Sequence, residues 1–208
     1  MSKGYPSLEI AQKLWQEGMD YRSATTDFVC RNEYIFHTRG VAESAKIIAA
    51  HTSDMDSEKA YILGLLHDYG KKYDERICGK FHGQAGFEEM NAKGYPAVAK
   101  ICLTHSFPRQ NFVDADYSSY RPEWRTWAHA ELAKVSYDDY DRLIQLCDMF
   151  FEGMTKVDVE TRFSCIINRY HLDPKVVEVL RADTNRNKEY FEQKTGCNIY
   201  ELLDIKTV

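Results

Sequence analysis

The fold is decided by the stretch Leu65-Leu66-His67-Asp68-Tyr69-Gly70-Lys71, which places a histidine and an aspartate side by side at the end of an apolar helix. In a chain with seven histidines, a His-Asp pair arises by chance in about half of cases, so the pair alone carries little information. The position of the pair within an apolar helix carries more information. His67 lies four residues after Leu63 and therefore shares the apolar face of this helix, which predicts a titratable side chain inside the core.

Three other polar side chains also share a helical face with core residues: His37, His105 and Asp148. Asp148, for example, lies four residues after Ile144 and three before Phe151. Burying an unpaired carboxylate is costly. Several inward-facing imidazoles and a carboxylate on separate helices are best explained by a shared divalent metal, which accepts both kinds of ligand.

Helical periodicity covers nearly the whole chain, with no internal repeat and no alternation of strands and helices. We therefore predict an all-α protein, made of a compact metal-binding helical bundle over residues 1–155 and a helical C-terminal extension over 156–208 packed on the same domain. The predicted helices lie at about 7–21, 32–50, 58–70, 83–93, 96–105, 123–134, 136–153, 158–170, 173–193 and 198–203.

Two stretches leave alternatives open. Residues 28–36 fit the start of a helix but also a short strand, because periodicity alone does not separate the two. Residues 106–125 are polar and aromatic, contain two prolines and show no clear period. Such a segment is either a lid or binding loop over a site or an ordinary surface excursion.

The helix predicted over 136–153 has recognisable ends. Ser136 is expected to be its N-cap, with Asp139 three residues on, and Gly153 its stop. This prediction puts Phe151 and Met154 on the apolar stripe of the helix.

Composition excludes several classes of protein. The content of 44% hydrophobic and 28% charged residues is ordinary for a globular chain. A net charge of −5 argues against a surface for long nucleic acid. No run approaches the roughly 18 apolar residues of a membrane span, and we expect no membrane partner. The six cysteines form no C-x-x-C pair, which favours a reduced, cytoplasmic protein with structural thiols such as Cys102 and Cys147.

The combined pattern resembles the HD-domain superfamily of metal-dependent phosphohydrolases. The family motif H…HD…D is matched here by His37, His67, Asp68 and Asp148, and the heptapeptide looks like the HD-x-G-K variant of bacterial members. His82 and His105 resemble the two additional histidines of members that hold two metals. The resemblance covers about residues 30–155 and implies an HD-type bundle.

The resemblance implies one metal held by His37, His67, Asp68 and Asp148. Asp68 would bridge to a second metal, which His82 and His105 would also hold. A mixed set of imidazoles and carboxylates suits Fe, Mn, Co, Ni or Zn better than Mg alone. We therefore expect two divalent transition-metal ions.

Other polar residues carry weaker expectations. Lys71 is assigned a catalytic role with Asp68, as a point charge for a substrate phosphate, although a solvated surface lysine is the alternative. Asp141 could support the site from behind, but an ordinary surface carboxylate is the favoured interpretation. Two further groups complete the set: arginines near the irregular segment that could bind phosphate (Arg109, Arg121, Arg125) and histidines without a predicted role (His51, His129, His171).

The function that the resemblance implies is hydrolysis of a phosphate ester or anhydride by a metal-activated water. The expected partner is a small phosphorylated molecule, a nucleotide or a dinucleotide, while the oligomeric state stays open. One alternative is a di-iron oxygenase of the same fold that acts on a small organic substrate. The other is a non-catalytic module that senses a nucleotide or a metal.

Overall fold

The protein is described by a computed structural model that covers residues 3–23, 28–73, 75–113, 117–118, 120–170 and 172–207. The predicted all-α class is confirmed, since these residues form helices and one two-stranded hairpin. The elements are α1 (Leu8–Ser23), α2 (Phe28–Ala50), α3 (Ser57–Leu66), a 3-10 turn (Tyr69–Lys72), α4 (Glu75–Cys78), α5 (His82–Ala92), α6 (Pro96–Thr104), α7 (Pro122–Leu132), α8 (Asp139–Asp148), β1 (Phe151–Glu152), β2 (Thr155–Lys156), α9 (Val159–Tyr170), α10 (Pro174–Thr195) and α11 (Ile199–Leu202).

The centre of the core is the pair α2 and α3, which form the most extensive helix contact in the bundle. Gly64 permits their close approach, because a Cβ at this position would lie 2.8 Å from the Cα of Ala42. The alternative of a strand over residues 28–36 is wrong, since α2 begins at Phe28. Cys102 and Cys147 are fully buried, as predicted, whereas the side chain of Cys30 lies outside the described part.

The turn after α3 is locked against the start of α5. Gly70 faces this helix so closely that a Cβ would lie 1.9 Å from the carbonyl oxygen of His82. Beside it, Lys72 donates to Glu89 of α5 at 2.8 Å, and the hydroxyl of Tyr73 donates to the same carboxylate at 2.9 Å. These contacts fix the His-Asp pair relative to the first residue of α5.

The sequence prediction for α8 is wrong at both ends. Asp138, rather than Ser136, is the N-cap, and it forms a reciprocal capping box with Asp141. The helix ends at Asp148 and not at Gly153. Gly153 has a φ of +55° and makes the tight turn between β1 and β2, so its left-handed backbone closes a hairpin instead of a helix.

Because residues 151–156 form a hairpin, the side chains of Phe151 and Met154 do not lie on the apolar stripe of a helix. Phe151 is 1% exposed but is buried from β1, with its ring edge-on to the ring of His37 at 6.2 Å. Met154 is 57% exposed and therefore does not continue the apolar stripe of α8. The hairpin reverses the direction of the chain, and α9 then packs against the bundle.

The C-terminal helices pack on the bundle. Phe163 of α9, Phe191 of α10 and Ile199 of α11 belong to the same buried cluster as the residues of α2, α3 and α8. The division of the chain at residue 155 stays a prediction. Among the described residues, no helix has both the length and the apolar content that crossing a membrane requires.

The segment 106–125 is organised by aromatic packing where it is described; residues 114–116 and 119 lie outside that part. Phe107 and Phe112 stack with ring centroids 4.9 Å apart, in a second buried cluster that includes Phe81 and Trp124. Aromatic side chains bury large areas each, which explains how a stretch without periodicity is held. From Pro122 onward the chain is helical, as α7.

Gly70→Ala is expected to destabilise the fold by roughly 1–3 kcal/mol, because the added Cβ overlaps the backbone of α5 and forces the turn away from it. The matched control is Gly18→Ala, where the nearest atom outside the local helix is a ring carbon of Tyr69 at 3.7 Å, an ordinary contact. Urea unfolding of both variants checks this. Equal stabilities for Gly70→Ala and the wild type would contradict the locked turn.

Candidate metal centre

The six predicted ligand side chains converge at one end of the bundle. They come from five separate parts of the fold: His37 from the middle of α2, His67 and Asp68 from the end of α3, His82 from the start of α5, His105 from the end of α6 and Asp148 from the end of α8. Their assignment as metal ligands stays a prediction, but their mutual distances have the scale of a coordination shell.

The first group of side chains surrounds one point. The Nε2 atom of His37 lies 2.9 Å from Oδ1 of Asp148 and 3.2 Å from Nε2 of His67. The distance from Nε2 of His67 to the same carboxylate oxygen is 3.5 Å. Two imidazole nitrogens and one carboxylate oxygen therefore face each other within 3.5 Å.

The second group lies on the other side of Asp68. The Nε2 atoms of His82 and His105 are 3.3 Å apart. Oδ1 of Asp68 lies 3.3 Å from Nε2 of His105 and 3.6 Å from Nε2 of His82. Ser106 adds a hydroxyl that lies 3.1 Å from Nε2 of His105 and 3.3 Å from Nε2 of His82.

Asp68 is shared by the two groups, one oxygen to each. Its Oδ2 lies 3.4 Å from Nε2 of both His37 and His67, while Oδ1 faces the second pair of imidazoles. The residue is 1% exposed, and within the described part of the chain Oδ1 has no hydrogen-bond partner. A buried carboxylate oxygen without a partner is costly, so the donor set is compatible with divalent metal binding at this centre.

Outer partners orient the imidazoles. Nδ1 of His67 lies 2.7 Å from the carbonyl oxygen of Gly64, and Nδ1 of His105 lies 3.0 Å from that of Ile101. A carbonyl can only accept, so each Nδ1 carries a proton and each Nε2 faces the centre. This is the arrangement in which histidine usually binds metals.

Glu75 orients the third imidazole, and sequence reasoning missed it. Its Oε1 lies 3.1 Å from Nδ1 of His82 and also accepts the backbone N–H of that residue at 2.9 Å. Glu75 therefore fixes both the start of α5 and the ring of His82. The only signal in the sequence is a carboxylate seven residues before a histidine, which has no meaning until α4 turns back towards α5.

The electrostatics of the metal-free cluster favour negative carboxylates and a protonated histidine. Burial acts to raise the pKa of Asp68, but the charges of Lys71 and His67 outweigh it and hold that pKa well below its usual range. Burial acts to lower the pKa of His67, but Asp68 and Asp148 outweigh it and raise this pKa to about 10. Burial dominates at His105, whose pKa is lowered.

A cavity of about 430 Å³ opens beside the first group. His37 and Asp68 form part of its wall, and four basic side chains line it: Arg22, Lys71, Arg162 and Arg169. Lys71 donates to Oδ2 of Asp68 at 2.6 Å, with its side chain 39% exposed. Glu152 of the hairpin pairs with the two arginines of α9.

The predicted arginines are not the ones that line this cavity. Arg109 pairs with Asp183 of α10, and the guanidinium of Arg121 lies over the ring of Trp124 at 4.9 Å. Arg125 also lies outside the residues that line the cavity. The sequence alone does not identify the two arginines of α9 as cavity residues, because only the hairpin brings this helix back to the site.

Asp141 is not the surface carboxylate that the sequence favoured. It is fully buried and accepts hydrogen bonds from Thr104 and Lys100 of α6, both at 2.7 Å. These bonds join α6 to α8, the two helices whose ends carry His105 and Asp148. The charged group is tolerated in the interior because its partners satisfy it.

Two of the three remaining histidines are described, and both are separate from the cluster. His51 bonds within its own helix, to the carbonyl of Ile47, and the ring of His129 stacks on Phe112 with centroids 3.9 Å apart. His171 lies outside the described residues.

Comparison with known families agrees with this geometry. The HD domain family model matches residues 34–151, and the chain belongs to this family. The matched region contains all six of the converging side chains but ends before α9. No curated protein and no solved structure matches the chain.

Glu75→Ala is expected to weaken binding of one of two metal ions by about 10- to 100-fold, because the ring of His82 loses the carboxylate that orients it. The other ion, on the side of His37, is expected to bind as before. Stepwise calorimetric titration with Mn²⁺ measures both affinities. Glu123→Ala, at an exposed position of α7, is the control, and unchanged stepwise affinities in Glu75→Ala would contradict the assignment.

Metal binding is expected to release a proton at neutral pH. His67 carries a proton until the pH reaches about 10 in the metal-free protein, and a cation must displace it. The apparent affinity therefore falls as the pH is lowered from 8.5 to 6.5, by about tenfold per unit for one displaced proton. Titration with Mn²⁺ in buffers of different ionisation enthalpy counts the protons, and a pH-independent affinity would be inconsistent with this account.

Proposed function

We propose that the chain is a metal-dependent phosphohydrolase that cleaves a phosphate ester or anhydride of a small nucleotide. The observation that carries this proposal is the buried carboxylate of Asp68, which splits its two oxygens between two groups of imidazoles at the wall of a cationic cavity. Membership of the HD domain family supports the coarser statement, a metal-dependent hydrolase type of site.

The six side chains from His37 to Asp148 would hold two divalent ions. Such a pair supplies a water of lowered pKa and a positive clamp for a phosphoryl oxygen. The imidazoles of His67, His82 and His105 are held by their outer partners with Nε2 towards the centre. The carboxylates of Asp68 and Asp148 would contribute negative charge that offsets the charge of the cations.

The cavity supplies what an anionic substrate needs. Arg162 and Arg169 are planar donors suited to phosphate oxygens, and Glu152 holds both at the wall until an anion competes for them. Lys71 lies between this wall and Asp68. With a metal bound at Asp68, the ammonium group of Lys71 would be free to turn towards the cavity that it lines and to bind a phosphoryl oxygen as a point charge.

The test is a phosphate-release screen over mononucleotides, cyclic nucleotides and dinucleoside polyphosphates, with elemental analysis of the same sample. His67→Ala and Asp68→Ala are expected to lower metal content and hydrolysis by at least about 100-fold while helicity by circular dichroism is retained. His51→Ala, an exposed histidine outside the cluster, is the control and should behave as the wild type.

The alternatives give different outcomes. Two irons with O₂-dependent turnover, and no phosphate release, would replace the proposal with an oxygenase. Tight nucleotide binding without any turnover would replace it with a sensing module. Full hydrolysis by Asp68→Ala would remove the site from the reaction altogether.

A further inference from the structure

A second cavity, of about 160 Å³, also borders this centre. His105, Ser106 and Asp148 form its inner end. Its walls are mainly apolar and come from the end of α8, from α9 and α10 and from the segment after α6: Pro108, Tyr117, Met149, Phe163, Ile166 and Leu180. An organic group bound here would lie next to the candidate metals.

Two amide side chains in this cavity have a fixed orientation. Nε2 of Gln145 donates to the carbonyl oxygens of Thr104 at 2.9 Å and Phe107 at 3.3 Å. Carbonyls only accept, so the oxygen of Gln145 points the other way and accepts from Nδ2 of Asn187 at 3.3 Å. Among the described residues this is the one hydrogen bond of the Asn187 side chain, which leaves its Oδ1 and a second N–H available to a ligand.

Residues of helix α9 line both cavities. Arg162 lines the cationic cavity and Phe163, the next residue, lines the apolar one. A molecule that passes over the centre would therefore meet cations at one end and an apolar slot at the other. Arg109 pairs with Asp183 and so ties the segment after α6 to α10.

We propose that the apolar cavity binds the base of a nucleotide substrate and that Asn187 determines this specificity by pairing with the edge of the base. This inference rests on the proposed function. A side-chain amide offers an acceptor and a donor in one plane, which matches the adjacent donor and acceptor on the edge of adenine. The apolar walls cover the faces of a ring, whereas a sugar in this slot would leave several hydroxyl groups unpaired.

The test measures binding to the metal-loaded protein, independently of turnover. One probe is α,β-methylene adenosine diphosphate, in which carbon replaces the bridging oxygen. The other is methylenediphosphonate, which has the same P–C–P group and no nucleoside, and which carries one more ionisable oxygen because neither phosphorus is esterified. The wild type is expected to bind the first probe at least about tenfold more tightly than the second. Asn187→Leu, which keeps the size of the side chain, and Asn187→Ala are expected to reduce this ratio about tenfold.

The controls and outcomes separate the possibilities. Asn168→Leu and Asn168→Ala, at an exposed position of α9, should leave the ratio unchanged. A ratio near one in the wild type, a ratio insensitive to both Asn187 variants, or tighter nucleoside binding in Asn187→Leu would each overturn the inference. If the ratio depends on Asn187 but the protein hydrolyses no nucleotide, this inference stands and the proposed function is wrong. If the protein hydrolyses a nucleotide but the ratio does not depend on Asn187, the proposed function stands and this inference is wrong.

Discussion

The carboxylate of Asp68 is the constraint on which the rest of the structure depends. It is buried, and its two oxygens face different pairs of imidazoles. A charge in that position is stable only when positive groups surround it. In the metal-free protein, Lys71 and a protonated His67 supply that positive charge. The same carboxylates make the cluster compatible with divalent metal binding.

The scaffold around this carboxylate is rigid for local reasons. The turn that carries it is packed against the backbone of α5 at Gly70 and tied to the same helix through Glu89. Asp141 joins α6 to α8 in the interior. Each of these contacts fixes the end of one helix that carries a candidate ligand relative to the end of another. A metal site requires its ligand atoms to be positioned to within a fraction of an ångström.

The residues that line the site and its two cavities come both from the matched family region and from the helices that follow it. All six of the converging side chains lie within residues 34–151. Arg162, Phe163 and Asn187 lie beyond that region and line the two cavities. This arrangement places the proposed chemistry in the matched family region and the proposed selection of substrate in the helices that follow it, as expected when a function is built on a common fold.

Several features of the site could be read from local pattern, and others could not. The inward positions of His37 and His105 follow from helical periodicity, because a residue three or four positions from core residues shares their face. Asp141 was misjudged, because its partners on α6 lie some 40 positions earlier and no local pattern names them. The end of α8 was misjudged because Gly153 is typical of both a helix stop and a hairpin turn.

By itself, then, the sequence determined the helical class, the apolar faces and the inward positions of His37, His67, His105 and Asp148, since each of these depends on residues a few positions apart. Only the tertiary structure decided that those side chains meet around Asp68, that Glu75 supports His82, and that α9 brings arginines and a phenylalanine to two cavities beside the centre. The physical reason is that distances between segments remote in the chain are set by how helices pack and where turns reverse them. Those quantities depend on shape complementarity across the whole core and leave no signature in any single stretch of sequence.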